Sequence, residues 1–277
     1  MPASRYRDWE SFAFPAATGG PAGPAASGGE PVAFCADLGP ASVLGAYRRG
    51  IVPLPAPDDY FATLNEFRYE DQVASGAIAV VGNEGDDPYP VAWWSPDPRP
   101  VIDAGHVHLG RNVRKRLRHD ELTTSADTAF GRVAEACRAD REPRWLTDPL
   151  LATLTELHDQ GWAHSIEVWD GDDLVGGAMG IGLGAVMSGD SLFGLRPAAA
   201  AIAVADMADR LAAAGGTLID AQWDSPFLRS LGAVPMARDR YLALLEGPAG
   251  PAALPPGRLP ARRLLPASEA AAAVFEA

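Results

Sequence analysis

Long apolar runs, cysteine and lysine are all scarce in this sequence, and each scarcity narrows what the chain can be. No stretch approaches the ~20 apolar residues of a membrane-spanning helix. The opening MPASRYRDWE has no apolar signal core. A cytoplasmic protein with no membrane association is therefore the expectation. Only two cysteines occur, Cys35 and Cys137, far apart and without CxxC or Cys/His ligand spacing. That pattern argues against zinc, so no metal ligand is assigned, and two reduced thiols are preferred to a disulfide. Of 23 cationic residues only Lys115 is a lysine. The net charge of −13 argues against broad, sequence-blind binding of nucleic acid. Catalytic signatures are missing as well. No GxSxG elbow marks a serine hydrolase. The series Gly176, Gly177, Gly180, Gly182, Gly184 falls in a strand pattern without GxGxxG order. The Arg/Gln-x-x-Gly-x-Gly/Ala loop of an acetyl-CoA-dependent transferase is not found before a helix. No internal repeat is visible.

What is present is a chain of 277 residues, 47% of them hydrophobic, enough to bury a sizeable core. Three parts are expected: an N-terminal domain over 1–99, a catalytic domain over 100–247 and a C-terminal tail over 248–277. Residues 16–30 are Gly/Pro/Ala-rich and read as a flexible loop. A helix over 40–50 ends at Gly50. Residues 55–90 are polar and irregular and read as an inserted loop or small subdomain. WWSPDPR (93–99) reads as an aromatic strand end closed by two prolines. Further on come a short basic helix over 111–118, a strand at 121–125, a helix capped by Asp127 and a helix beginning at Thr147 or Asp148. HSIEVW (164–169), a turn at Asp170-Gly171, and the segments 174–184 and 185–194 read as three strands. An alanine-rich helix over 197–214, a strand over 217–222, a helical turn at 225–231 and a helix from about Asp239 follow. Residues 247–260 read as a linker, and 268–277 as a short terminal helix. This mixture predicts an α+β layered fold, in an order compatible with a GNAT-type acyltransferase.

Two groups of residues carry the candidate chemistry. Asp220 and Gln222 are two apart on an expected strand, so their side chains are expected to face the same way. Arg111, Arg114, Lys115, Arg116 and Arg118 place five cations in eight residues of an acidic chain. On a helix, 111, 114, 115 and 118 share a face that can follow a phosphate backbone. The competing readings are a turn aspartate with an ordinary glutamine, and a solvated charged face. His164 and Glu167 have opposite facing on their strand and form no close acid–base pair.

Several segments occur together and in one order: YRRGIVP (47–53), WWSPDPR, VHLGRNVRKRLR (107–118), AFGRVAEACRADREPRWL (129–146), LHDQGWAHSIEVWDGDDLVGGAMG (157–180), SGDSLF (188–193), LIDAQ (218–222) and SLGA (230–233). In these the chain resembles the leucyl/phenylalanyl-tRNA–protein transferase family. The resemblance covers most of 40–246. It implies a small N-terminal domain and a GNAT-like catalytic domain, with aminoacyl-tRNA as donor and no cofactor. The implied acceptor is a protein or peptide beginning with Arg or Lys, whose modification marks it for degradation. The implied roles are catalysis by Asp220, holding the amine or the acceptor's cation, and Gln222, orienting or relaying the amine proton. Asp190 and Ser191 would bind the acceptor. Trp145, Ala178, Met187 and Phe193 would line an aminoacyl pocket, and the basic helix would contact tRNA. Trp93 or Trp94 would stack on the tRNA's terminal adenosine or bury at a domain interface.

The chain also departs from the family pattern. Leu54 replaces an aromatic residue, Asp190 a glutamate, Gly194 a serine, alanines near 198–201 an Ala-Ser-Lys stretch, and Phe227 a histidine. A different aminoacyl-tRNA, or a small-molecule amine as acceptor, therefore stays open, as does a tRNA-binding module without turnover.

Overall fold

The computed structural model describes residues 5–14, 29–83, 85–139, 144–247, 250–251 and 254–266. The elements begin with β1 (Arg5–Tyr6), β2 (Ala33–Phe34), α1 (Pro40–Tyr47), β3 (Val52–Pro55), α2 (Asp59–Ser75), β4 (Ala79–Val81) and β5 (Val91–Trp94). They continue through β6 (Arg99–Asp103), α3 (Arg111–His119), β7 (Leu122–Ala126), α4 (Phe130–Arg138), α5 (Asp148–Asp159), β8 (Ala163–Asp170) and β9 (Asp173–Leu183). The remainder are β10 (Val186–Ser188), β11 (Ser191–Gly194), α6 (Ala199–Ala213), β12 (Leu218–Asp220), α7 (Pro226–Ser230), β13 (Val234–Met236), α8 (Arg238–Leu245), β14 (Leu259–Pro260) and a 3-10 turn over Ala261–Leu264. Helices with two mixed sheets make this an α+β protein. No helix among the described residues is long and apolar enough to cross a membrane.

The chain forms two compact units. The first takes Met1–Pro98, Asp140–Leu157 and Ala237–Ala243; the second takes Arg99–Ala139, His158–Met236 and Leu244–Ala277. In the first unit five strands are ordered β1-β4-β2-β5-β3. Phe34, Tyr69, Val73, Ile78, Val80 and Ala92 cluster in its core. Residues 55–90 are not a loop. Asp58 caps α2 by accepting from the Phe61 N–H at 3.1 Å, and Gly76, at φ +78°, closes it in the left-handed conformation. Tyr69 and Val73, four apart on one face, bury and hold the helix to the sheet. Cys35 and Cys137 are buried thiols without a disulfide, and burial pushes the Cys35 thiol up, which leaves it unreactive. Of the loop expected over 16–30 only residues 29 and 30 are described, and the expected helix over 268–277 lies outside the described residues.

The second unit is built on a sheet of order β13-β6-β12-β10-β9-β8-β7-β14, with β11 paired to β9. Helix α6 lies in its core: Ala201, Ile202, Met207 and Leu211 bury with Ile102, Ile166, Val168 and Ile219. The segment 185–194 is two strands rather than one, because the chain leaves β10 at Gly189 and returns to β9 as β11. Asp127 does not cap α4. It sits at φ +57°, its carboxylate accepts from the Ser165 N–H at 2.9 Å, and its other oxygen lies 2.8 Å from His164 Nδ1. Residues 254–266 are no free tail. Leu254, Ala261 and Leu265 fill the core, Arg210 Nε donates to Asp206 at 2.7 Å, and Arg263 donates to Asp206 and Asp209.

Candidate active site and cationic cleft

Three strand ends gather the candidate site in the second unit. Strand β12 runs parallel to β10, with Ser188 opposite Asp220, and antiparallel to β6, with Asp220 opposite Val101. Past β10 the Gly189 N–H donates to the Asp220 carbonyl at 2.8 Å, and the Asp190 N–H to the Met179 carbonyl at 3.0 Å. This crossing brings backbone against Gly180 so closely that a Cβ there would lie 1.5 Å from the Ser188 carbonyl oxygen. Only glycine admits that approach.

The side chains then form a chain of contacts. Arg99, at the start of β6, donates to Asp220 Oδ2 at 2.7 Å, and the two are 0% and 1% exposed. Asp220 Oδ1 accepts the Gln222 backbone N–H at 2.9 Å. Gln222 Nε2 donates to Ser188 Oγ at 2.7 Å and to the Asp190 carboxylate, and Ser188 Oγ donates to Asp190 as well. An amide NH2 has two protons, so it can serve both partners. Gln222 is buried at 6% exposure, while Asp190 is half-buried with its Oδ2 enclosed in the protein.

This geometry corrects the basis of the Asp220/Gln222 pairing. The strand stops at Asp220, and Gln222 lies beyond it at φ +56°, so strand alternation does not align the two. They are joined through backbone N–H and carboxylate. A buried, Arg-paired Asp220 cannot hold the incoming amine directly. Ser191 opens β11 opposite Met179, two residues from Phe193 and so on its face, whereas Asp190 turns to Gln222 and Ser188. Its buried hydroxyl has no hydrogen-bond partner among the described residues.

The expected aminoacyl lining is not an open pocket. Met187 and Ala178 are 0% and 2% exposed members of the core. Phe193 is buried against Gly177, where a Cβ would lie 2.8 Å from its ring. Trp145 belongs to the first unit and is half-buried there. Trp93 is fully buried in the first unit, its Nε1 donating to the Cys35 carbonyl at 2.8 Å and its ring 4.7 Å from Trp9, so it is not available to stack on a base. Trp94 packs partly buried against the Phe34 cluster.

Also in the second unit is a cleft of about 730 Å³, lined by Asn112, Val113, Lys115 and Arg116 of α3, by Phe227, Arg229 and Leu231 around α7, and by Pro197, Ala198 and Ala201 at the start of α6. Of the α3 cations, Lys115 and Arg116 face the cleft rather than the 111/114/115/118 set, with Leu117 as the buried residue of the helix. Arg111 and Arg118 are exposed and line none of it; Arg114 is half-buried. Arg116 also lies 3.6 Å from Asp120. Sequence reasoning missed Arg99, Ser188 and Gly180 as parts of the site. Arg99 and Ser188 stood inside recognisable motifs, but their partnership with residues around 220 is a matter of strand register, which no local pattern encodes.

An amide, a carboxylate and a hydroxyl fixed at adjoining strand ends, with a cationic cleft in the same unit, define a class of protein fitted to polar group transfer with an anionic ligand. Similarity to known proteins narrows this class. A family model described as leucyl/phenylalanyl-tRNA protein transferase matches residues 101–246. The chain is 43% identical over 154 residues to the leucyl/phenylalanyl-tRNA–protein transferase of Proteus mirabilis (strain HI4320), covering 56% of this chain and 67% of that protein. It is 38% identical over 213 residues to that of Chromohalobacter salexigens, covering 76% and 72%, and 37% identical over 236 residues to that of Aromatoleum aromaticum, covering 82% and 84%. This chain belongs to the leucyl/phenylalanyl-tRNA–protein transferase family.

Proposed function

We propose that this protein is a cytoplasmic enzyme that transfers leucine or phenylalanine from its tRNA to the α-amine of an acceptor protein beginning with Arg or Lys. The observation that carries this reading is the Gln222 amide, locked by its N–H groups onto Ser188 and Asp190. With those donors engaged, the amide oxygen is the atom left to accept a proton-bearing amine. Asp190 supplies a carboxylate for the acceptor's cationic first residue. The amine attacks the ester carbonyl, a C–N bond forms and the ester C–O bond breaks. The proton lost by nitrogen ends on the ribose hydroxyl that leaves. An α-amine with pKa ≈ 7.7–8.0 is already roughly a tenth neutral at pH 7, and the ester is reactive, so orientation matters more than a strong base. The donor supplies the driving force, and the proposed reaction uses no further cofactor. A GNAT-like reading of the second unit rests on its antiparallel β7-β8-β9 run and the α6 crossover joining β11 to β12, which lies parallel to β10.

The test is incubation of the protein with each charged tRNA and an Arg-starting peptide, read by mass. A gain of one leucyl or phenylalanyl residue is expected. A gain of another residue would reassign the donor, and no gain with any donor would remove the reading. The cleft gives a second expected result. Lys115→Gln/Arg116→Gln should raise the apparent constant for aminoacyl-tRNA and lower its salt slope by about 0.7–0.9 for each phosphate left unneutralised. Unchanged binding and slope would take the cleft out of tRNA recognition.

A further inference from the structure

The reaction proposed above places Gln222 at the reacting amine, and the structure raises the question of what keeps Gln222 there. Gln222 sits at φ +56°, a region that residues with a side chain rarely occupy and that persists only when the surroundings impose it. Three contacts impose it here. The Gln222 N–H donates to Asp220 Oδ1, the neighbouring Ala221 N–H donates to the Pro100 carbonyl at 3.0 Å, and the Trp223 N–H donates to the Ala221 carbonyl and closes a turn about Gln222. The first contact depends on a carboxylate that is 1% exposed. A carboxylate at that depth needs a cation, and Arg99, 0% exposed on the adjoining strand, provides it at 2.7 Å. Strand β6 thus grips both the side chain of Asp220 and the backbone of Ala221.

We infer that Arg99 is a positioning residue for the transfer reaction: by fixing the Asp220 carboxylate it holds Gln222 in the left-handed conformation that aims its amide at Ser188 and Asp190. Arg99 touches no substrate. Its influence runs through Asp220 to the Gln222 N–H, and from the Gln222 side chain to the half-buried Asp190. The inference rests on the transfer reaction proposed above for its catalytic consequence, and on the ion pair alone for its structural one.

The test compares the full chain with Arg99→Met and with Arg99→Met/Asp220→Asn. Rates are normalised to the folded fraction from thermal melts, and the exchange of the Gln222 amide proton is followed by NMR. Arg99→Met takes the Arg99 cation away from a buried carboxylate. It should lower kcat by about 100-fold while leaving the KM for the acceptor peptide nearly unchanged, and should speed exchange at Gln222. The double variant keeps an oxygen at position 220 for the Gln222 N–H and removes the charge that needed Arg99. It should recover at least about tenfold of the lost kcat, a difference of about 1.4 kcal/mol in barrier, and restore slow exchange. Folded Arg99→Met with wild-type kcat overturns the inference, and so does a loss that falls on acceptor KM. A folded double variant no better than Arg99→Met also overturns it. If Arg99→Met does not fold, the double variant decides alone: kcat within about tenfold of wild type supports the inference, and a folded, inactive protein overturns it. If the wild-type chain transfers nothing from any charged tRNA, the proposed reaction fails, and amide exchange still reads whether Arg99 holds Gln222.

Discussion

Gly180→Ala is expected to lower stability by about 3 kcal/mol or more and to abolish most transfer activity. The added methyl carbon would lie 1.5 Å from the Ser188 carbonyl oxygen and 2.6 Å from its carbon, both backbone atoms. Neither can swing aside as a side-chain tip would, so either β9 or the β10–β11 crossing must move. That crossing carries Ser188 and Asp190, both of which receive the Gln222 amide. A shift of about 1 Å at such a site costs on the order of 100-fold in rate. Urea unfolding and peptide-transfer rates check the two parts. A matched control is Gly131→Ala, inside α4 with open space around its Cβ, which should gain about 0.5–1 kcal/mol through helix propensity. If Gly180→Ala unfolds at the same midpoint as wild type, the tight crossing is not a constraint in solution.

The second large effect is Gln222→Gly. Removing the side chain deletes the donors to Ser188 and Asp190, which costs about 1–3 kcal/mol. Glycine also accepts φ +56° without the penalty of about 1–2 kcal/mol that a side chain carries there. The two contributions largely offset, so stability should change by less than about 2 kcal/mol. Activity should not be spared. Loss of the amide is expected to lower kcat by about 100-fold or more. Gln222→Glu should be no better, because it sets a second carboxylate against Asp190. A Gln222→Gly protein that turns over at the wild-type rate would show that the reacting amine lies elsewhere.

Much of the architecture was legible in residue order. Helices α1, α3 and α6 and strands β8 and β9 stood out because each combines a distinctive composition with a terminal glycine, turn or charge signal. Helix α2 was harder. Only Tyr69 and Val73 of its buried face mark a helical repeat, while Tyr60 and Phe67 lie 67% and 81% exposed and blur it. Its end signals, Asp58 and Gly76, were nevertheless in the sequence. The site was legible as a set of residue types rather than as an arrangement. Asp220 and Gln222 stood out as a candidate pair, but the strand's end between them rests on a left-handed backbone that glutamine does not advertise. Arg99 and Asp220 are 121 positions apart, and only the pairing of β6 with β12 brings them together. Burial of Trp93 stood beside base stacking as one of two readings, because an aromatic residue beside prolines gives no sign of which side of the sheet it packs on.

The closing stretch of the second unit bears on how the protein is made. The family-matched region ends at residue 246, yet Leu254, Ala261 and Leu265 complete the apolar core, and Arg263 bonds to the buried Asp206. A nascent chain that has emerged only as far as helix α8 therefore holds a gapped interior and a carboxylate facing Arg210 without Arg263. Residues 254–266 must therefore emerge before this unit can settle, so its maturation waits on a segment past helix α8 rather than on the order in which its strands appear.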